Sequence, residues 1–332
     1  MKRREFYCIL ISLVVSLLIT AAKFTAYFKT DSVAILSDAL ESIINVLAAL
    51  FACYSIYLTA KPRDENHPYG HGKVEFFSIG FEGGMILVAG LLILYTAVIY
   101  FLHPRSLNAV HSGILITAGA GLLNLLLGLF LIRAGRRLPS ITLSGNGQHI
   151  LTDAWSSLGI IVVLFLIQWT GWPWLDPLAS LVIGLLIIRK GYSLLRKSVS
   201  GLMDETDIAV VDQIAAIVSK QRKPQWIDLH NLRIQQFGNN LHVDAHLTLP
   251  YYYHLSAVHE EVKAMENVLD KNFAKRDVEC FIHTDPCTPP LSCPYCQLAD
   301  CPVREAAFEK KVPWTRLRLL SNRQHLKSDY HF

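Results

Sequence analysis

Six long apolar stretches dominate this sequence and limit what it can fold into. They run over about 6–28, 33–59, 76–102, 112–134, 142–169 and 174–192. Crossing the hydrocarbon core of a bilayer takes roughly 20 mostly apolar residues. A single segment of that length satisfies its own backbone in lipid only as a helix. Six transmembrane helices are therefore expected. The first run follows a basic MKRRE start. It exceeds a signal-peptide core of about 7–15 residues, and no small-x-small cleavage site closes it, so it reads as a span.

Charge is correspondingly thin. Only 17% of residues are charged, against about 25% in ordinary soluble chains. Residues 1–199 hold 16 Lys/Arg and 10 Asp/Glu, whereas residues 200–332 hold 15 and 17. A polar domain thus follows the membrane part. This excludes a uniformly soluble enzyme, a disordered chain and a disulfide-stapled secreted module. The net charge of +4 is too mild to imply nucleic acid.

One set of helix ends carries Lys2, Arg3, Arg4, Lys61, Arg63, Lys73, Arg133, Arg136, Arg137, Arg189, Lys190, Arg196 and Lys197. The opposite ends carry only Lys29 and Arg105. The positive-inside bias places both termini and the polar domain in the cytoplasm. Its reducing conditions keep thiols free. Cys8 and Cys53 read as packing residues in apolar helices. The basic start and the lack of an organellar transit signal favour a plasma (inner) membrane.

Ionisable groups at membrane depth are costly and mark pathways or pairs. In the second span Asp38, Glu41 and Asn45 share one helical stripe, as do His149 and Asp153 in the fifth. The two helices run antiparallel, which puts Glu41 level with Asp153 and Asn45 level with His149. Two carboxylates, an imidazole and an amide make a four-coordinate set suited to Zn²⁺ or another borderline divalent ion. The rival is a hydrogen-bonded polar cluster without an ion. Glu82 reads as facing the bundle interior, and Lys23 as snorkelling or pairing with Asp31 or another acid.

Between spans two and three, KPRDENHPYGHGKVE contains Asp64, His67 and His71. Pro68, Gly70 and Gly72 break regular helix there, so the chain can curl these three donors around one ion.

By these motifs the chain resembles the cation diffusion facilitator family. The resemblance rests on S-D-A-x-E-x-x-x-N in span two, H-P-Y-G-H-G-K-x-E in the loop, H-x-x-x-D in span five and L-M-D-E after span six. It covers nearly the whole chain to about Cys287. It implies a transport site at Glu41, Asn45, His149 and Asp153. The family usually has Asp or His at the first position and Asp at the second, so Glu and Asn are departures. Asp38 matches an acid that is usually not a ligand, and here it is placed to compensate for Asn45. The loop triad matches a second family site. Lys73 and Asp204 match a family charge pair linking membrane and cytoplasmic parts.

Residues 201–290 read as αββαβ: a helix over 206–221, strands in WIDLHNLRIQQFG and NNLHVDAHLTLP joined at Gly238-Asn239-Asn240, a helix in SAVHEEVKAMENVLDKNFA and a strand in VECFIHTD. The expected result is one helix-covered antiparallel sheet, similar to the family's small ferredoxin-like domain, which dimerises and binds metal. The resemblance maps binuclear metal positions onto His230, His246, His259, His283 and Asp285. His242 and His254 read as ordinary surface or strand residues. The fold class is thus a six-helix membrane protein, spanning 1–200, with a small α+β cytoplasmic domain. Residues 291–332 are a cysteine-containing extension and basic tail.

Cys287, Cys293, Cys296 and Cys301 include one C-x-x-C and suit a four-thiolate zinc site, a redox pair or an intermittent metal acceptor. The tail WTRLRLLSNRQHLKSDYHF is expected to lie against the membrane or stay disordered. The function implied is efflux of a divalent transition metal, Zn²⁺ first, by proton antiport as a homodimer. Metal needs neutral imidazole and ionised carboxylate, so loading expels protons and protonation expels metal. Fe²⁺, Co²⁺, Ni²⁺ and Cd²⁺ remain open as cargo, and a membrane-anchored metal sensor is the rival class. No H-E-x-x-H constellation supports an enzyme.

Overall fold

A computed structural model describes residues 3–59, 61–103, 107–137, 141–237, 240–274 and 276–326. Lys2, Arg105, the Gly238-Asn239 turn and the end of the tail lie outside the described residues. The chain divides into two compact units, one of residues 1–58 and 76–199, the other of residues 59–75 and 200–332.

Among the described residues, the first unit is built on six helices long and apolar enough to cross a membrane: α1 (Arg3–Thr30), α2 (Val33–Thr59), α3 (Val74–Leu102), α4 (Val110–Arg137), α5 (Ile141–Thr170) and α6 (Leu175–Leu202). Two helix pairs approach at glycines. A Cβ on Gly83 of α3 would stand 2.9 Å from the Leu195 backbone nitrogen and 3.0 Å from the Gly191 carbonyl of α6. Likewise, a Cβ on Gly147 of α5 would stand 2.8 Å from the Ile132 nitrogen of α4. Only a missing side chain lets these backbones come so close.

The start of α2 is fixed by a buried carboxylate. Asp176, at the beginning of α6, accepts from the Ser32 hydroxyl at 2.6 Å and from the Val33 amide at 2.7 Å. Ser32 Oγ in turn accepts from the Ile35 amide at 3.2 Å, an N-cap that satisfies an otherwise orphaned donor. Further along, Lys23 of α1 is fully buried and donates to Asp38 at 2.7 Å and to Ser42 at 2.8 Å. Asp38 also receives the Ser157 hydroxyl of α5 at 3.0 Å. Lys23 thus finds its partner in Asp38 rather than Asp31, and α1, α2 and α5 are tied at one buried point.

The second unit contains α7 (Ile208–Lys220), β1 (Asp228–Phe237), β2 (Asn240–Leu249), α8 (Leu255–Asn272), β3 (Asp277–Pro286) and a short α9 (Arg316–Leu319). The αββαβ order is as expected, but the sheet is mixed. β1 and β2 are antiparallel, while β2 and β3 pair in parallel. The reason is the connection: β1 and β2 follow each other across two residues, with Phe237 paired to Asn240, whereas α8 carries the chain back across the sheet before β3. Leu229, Val243, Ala245 and Leu247 turn inward, packing with Val211 and Ile214 of α7 and Met265 of α8.

The tail does not conform to the expectation of a membrane-lying or disordered segment. Trp314 and Leu319 are 4% and 0% exposed in that same core. The Ser321 carbonyl accepts the Asn231 amide at 2.6 Å, beside a bulge in β1. Gln324 donates to Thr248 Oγ1 at 3.2 Å. Apolar burial and satisfied backbone groups hold residues 314–326 on the sheet.

Candidate metal centres

The membrane cleft is lined by α1, α2, α4 and α5, and its expected donors come from α2 and α5. Asn45 Nδ2 donates to Asp153 Oδ2 at 2.9 Å. His149, one turn before Asp153, lines the same cleft with Asn124 of α4. The Asn45 carbonyl oxygen is buried and has no protein partner, leaving an acceptor available to a cation.

The register differs from the expected one. Asn45, not Glu41, meets Asp153. Asp153 lies 17 residues from the Thr170 end of α5 and Asn45 lies 12 from the Val33 start of α2. At about 1.5 Å per residue the outer ends are offset by roughly 7 Å, so α5 projects about one turn further than flush ends would allow. Glu41 is outside the cleft lining, held by Lys190 of α6 at 2.9 Å. Asp38 does not compensate for Asn45, because Lys23 and Ser157 occupy its oxygens. The sequence reading missed Lys190 by using it only as an orientation signal. It also missed Asn124, whose signal was an amide within an apolar run.

Two tighter donor sets occur in the second unit. Among the described residues, Asp64–His67–His71 and His230–His246–Asp285 are the groups whose ligand atoms all lie within 4.8 Å of one another. In the first, Asp64 meets His67 Nδ1 at 2.9 Å and His71 Nε2 at 3.4 Å. The His67 side-chain bond is the main cause holding the exposed Asp64 carboxyl below its ordinary value. The His67 amide also donates to Asp64 at 2.7 Å, so the turn itself sets the carboxylate in place.

The second set follows from strand register. His230, His246 and His283 stand directly opposite one another across the three strands. Their rings form a row, tilted by 51° and 43°, with centroids 5.2 and 4.6 Å apart. Asp285, two residues beyond His283 and so on the same face, reaches His246 at 3.0 Å, His230 at 3.4 Å and His283 at 3.5 Å. His259 is apart from this set, exposed on α8. The predicted five-residue group therefore comes together as three donors with His283 alongside. His242 sits elsewhere on the sheet, 3.0 Å from Asp244, and His254 lies at the start of α8 without a side-chain cap bond.

Behind His230 lies a residue the sequence reading overlooked. Asp228 is 3% exposed and approaches His230 Nδ1 at 3.2 Å. From the tail, His325 contributes both its amide and its Nδ1, each at 2.9 Å. Burial pushes the Asp228 carboxyl up, but these histidine contacts outweigh it and hold it well below the usual carboxylate range. A carboxylate on Nδ1 leaves Nε2 as the free donor, the arrangement that orients metal-binding histidines. Lys73 and Asp204 meet at 2.9 Å.

Comparisons with known proteins agree with this architecture. The cation efflux transmembrane domain matches residues 9–203, and the cation efflux protein cytoplasmic domain matches residues 207–287. An uncharacterized transporter of Synechocystis sp. is 38% identical over 272 residues, covering 81% of this chain and 86% of the relative. A cadmium, cobalt and zinc/H⁺-K⁺ antiporter of Bacillus subtilis is 30% identical, covering 61% and 66%. The cation-efflux pump FieF of Escherichia fergusonii is 28% identical, covering 82% and 89%.

Proposed function

The chain belongs to the cation diffusion facilitator family of cation efflux transporters, and on that premise we propose that it exchanges Zn²⁺ for protons through the cleft between α2 and α5. It is a multi-pass membrane transporter of divalent metal cations, not an enzyme. The observation that carries the finer reading is the Asn45–Asp153 bond, with an unpartnered Asn45 oxygen and His149 in the same cleft. Asp153 and His149 supply the titrating donors and Asn45 a neutral oxygen. Glu41, expected as the fourth ligand, lies outside the cleft lining on Lys190 and would have to leave that tether to reach the ion. Proton arrival at His149 and Asp153 weakens the grip on metal, and metal arrival displaces the protons.

His230, His246 and Asp285, with His283, form the regulatory site of a homodimer in this reading, and Asp64, His67 and His71 a loop site. His259, which the resemblance also maps to the cytoplasmic metals, stands apart from the regulatory set in this chain. Both termini face the cytoplasm of a plasma membrane. Because one relative is named for cadmium and cobalt as well as zinc, the cargo is tested as a panel.

Purified protein in vesicles, under an imposed pH gradient, should move Zn²⁺ against protons. His149→Ala or Asp153→Ala should abolish metal-dependent proton flux. Full transport by the double variant would overturn the site, and a preference for Fe²⁺, Co²⁺, Ni²⁺ or Cd²⁺ would overturn the cargo alone.

A further inference from the structure

Four thiols gather where the transport chemistry has no use for them. Cys287 follows β3 directly, and its amide bonds the Leu249 carbonyl at 2.8 Å. Its sulfur accepts the Tyr251 amide at 3.4 Å. A 3₁₀ turn over Cys293–Tyr295 then sets Cys293 and Cys296 at its two ends, with the Cys296 amide on the Cys293 carbonyl at 3.2 Å. The Leu298 amide hydrogen-bonds the Cys296 sulfur. Cys287, Cys293 and Cys296 are 8%, 4% and 5% exposed. Cys301 stands at the rim, bonded to the Tyr252 side chain. All four are free thiols.

Part of this segment's apolar packing is a small cluster of Ile227, Cys287 and Cys296 with Leu298 against it. Arg304 arches over the loop and donates to the carbonyls of Cys293 and Cys296 at 3.2 Å each and of Leu298 at 2.6 Å. Two amides are thus aimed at sulfurs, while the guanidinium holds the carbonyls of the loop that carries them. Four thiolates around one divalent ion carry two net negative charges, which such donors offset.

We propose that Cys287, Cys293, Cys296 and Cys301 hold a structural Zn²⁺ ion in a four-thiolate site. Zinc–sulfur bonds of about 2.3 Å bring tetrahedral sulfurs to roughly 3.8 Å apart. The thiols stand more openly than the two histidine sets, whose donors lie within 4.8 Å. The closing step is Cys301 exchanging the Tyr252 side chain for the ion. The ion would pin the turn after β2, at Tyr251, to the end of β3. That end is two residues past Asp285, so the site braces the regulatory set without belonging to it. It is separate from the cargo cleft and stands whichever ion is carried.

The test uses the full chain in detergent, loaded with Co²⁺. An intense near-ultraviolet thiolate-to-cobalt charge-transfer band is expected. It should persist in His149→Ala/Asp153→Ala and in His230→Ala/His246→Ala, and disappear in Cys293→Ser/Cys296→Ser. A second measurement avoids variants. In the zinc-loaded chain these four thiols should resist alkylation, read by mass spectrometry, and become reactive when a chelator is added. No band, a band that survives the double serine variant, visible iron–sulfur absorption, or protection unchanged by chelation would each overturn the proposal. Failure of the two histidine variants to transport leaves these readouts untouched, so the two readings fail separately.

Discussion

Lys23 is a cation buried inside the membrane unit. It is fully buried, with Asp38 at 2.7 Å and Ser42 at 2.8 Å as its partners. A buried ion pair gains little when made, because desolvation offsets attraction, but it is costly to break from one side. Lys23→Met would leave the Asp38 carboxylate without its cation. The expected loss is about 3–5 kcal/mol of stability, measured by thermal unfolding of the full chain in detergent. Pairing it with Asp38→Asn should restore most of that loss. A single variant as stable as the parent would mean that the pair is not what ties α1 to α2. The sequence made Lys23 visible as an anomaly but could not name its partner, since Asp31 and Asp38 were equally available until helix rotation was known.

At the scale of elements, length and hydropathy made the six spans legible, because a bilayer imposes its own ruler. Their ends were less so. α6 runs on to Leu202 rather than stopping near 192, because the basic stretch from Arg189 to Lys197 stays helical. Strand alternation identified β1, β2 and β3 but carries no direction, so the parallel β2–β3 pairing had to be inferred from α8 and was not. The docking of residues 314–326 was hidden by their basic composition, although Trp314 and Leu319 were the apolar signal within it. That docking has a pH consequence. Asp228 is held below its ordinary value when folded, so its contribution is full above the usual carboxylate range and is lost as pH falls toward the depressed value. Unfolding midpoints of the full chain should therefore drop on the acid side of about pH 4. His325→Ala should make that decline shallower, and an identical acid limb in the variant would refute the contribution of the tail.

For the molecule as a whole, the candidate sites were legible as donor types at helical and strand spacing, and illegible where they depended on how elements are offset. Glu41 fell to Lys190 and Asn45 to Asp153 because of one turn of projection by α5. Lys73 and Asp204 stand 2.9 Å apart. Such a partly exposed pair contributes only about 0–1 kcal/mol of stability, so a large effect on transport would mark coupling rather than folding. Lys73→Asp or Asp204→Lys alone should slow metal flux in vesicles, and the combined swap should recover it. No recovery would count against a coupling role. The row of His230, His246 and Asp285 has a different reach. Each belongs to a different strand, so an ion gripped there is a rivet through all three, and parting the strands and letting go of the ion become one event. By mass action, each tenfold rise in free metal above its dissociation constant then adds about 1.4 kcal/mol against that opening. The domain's survival against proteases would follow the metal load of the compartment it faces.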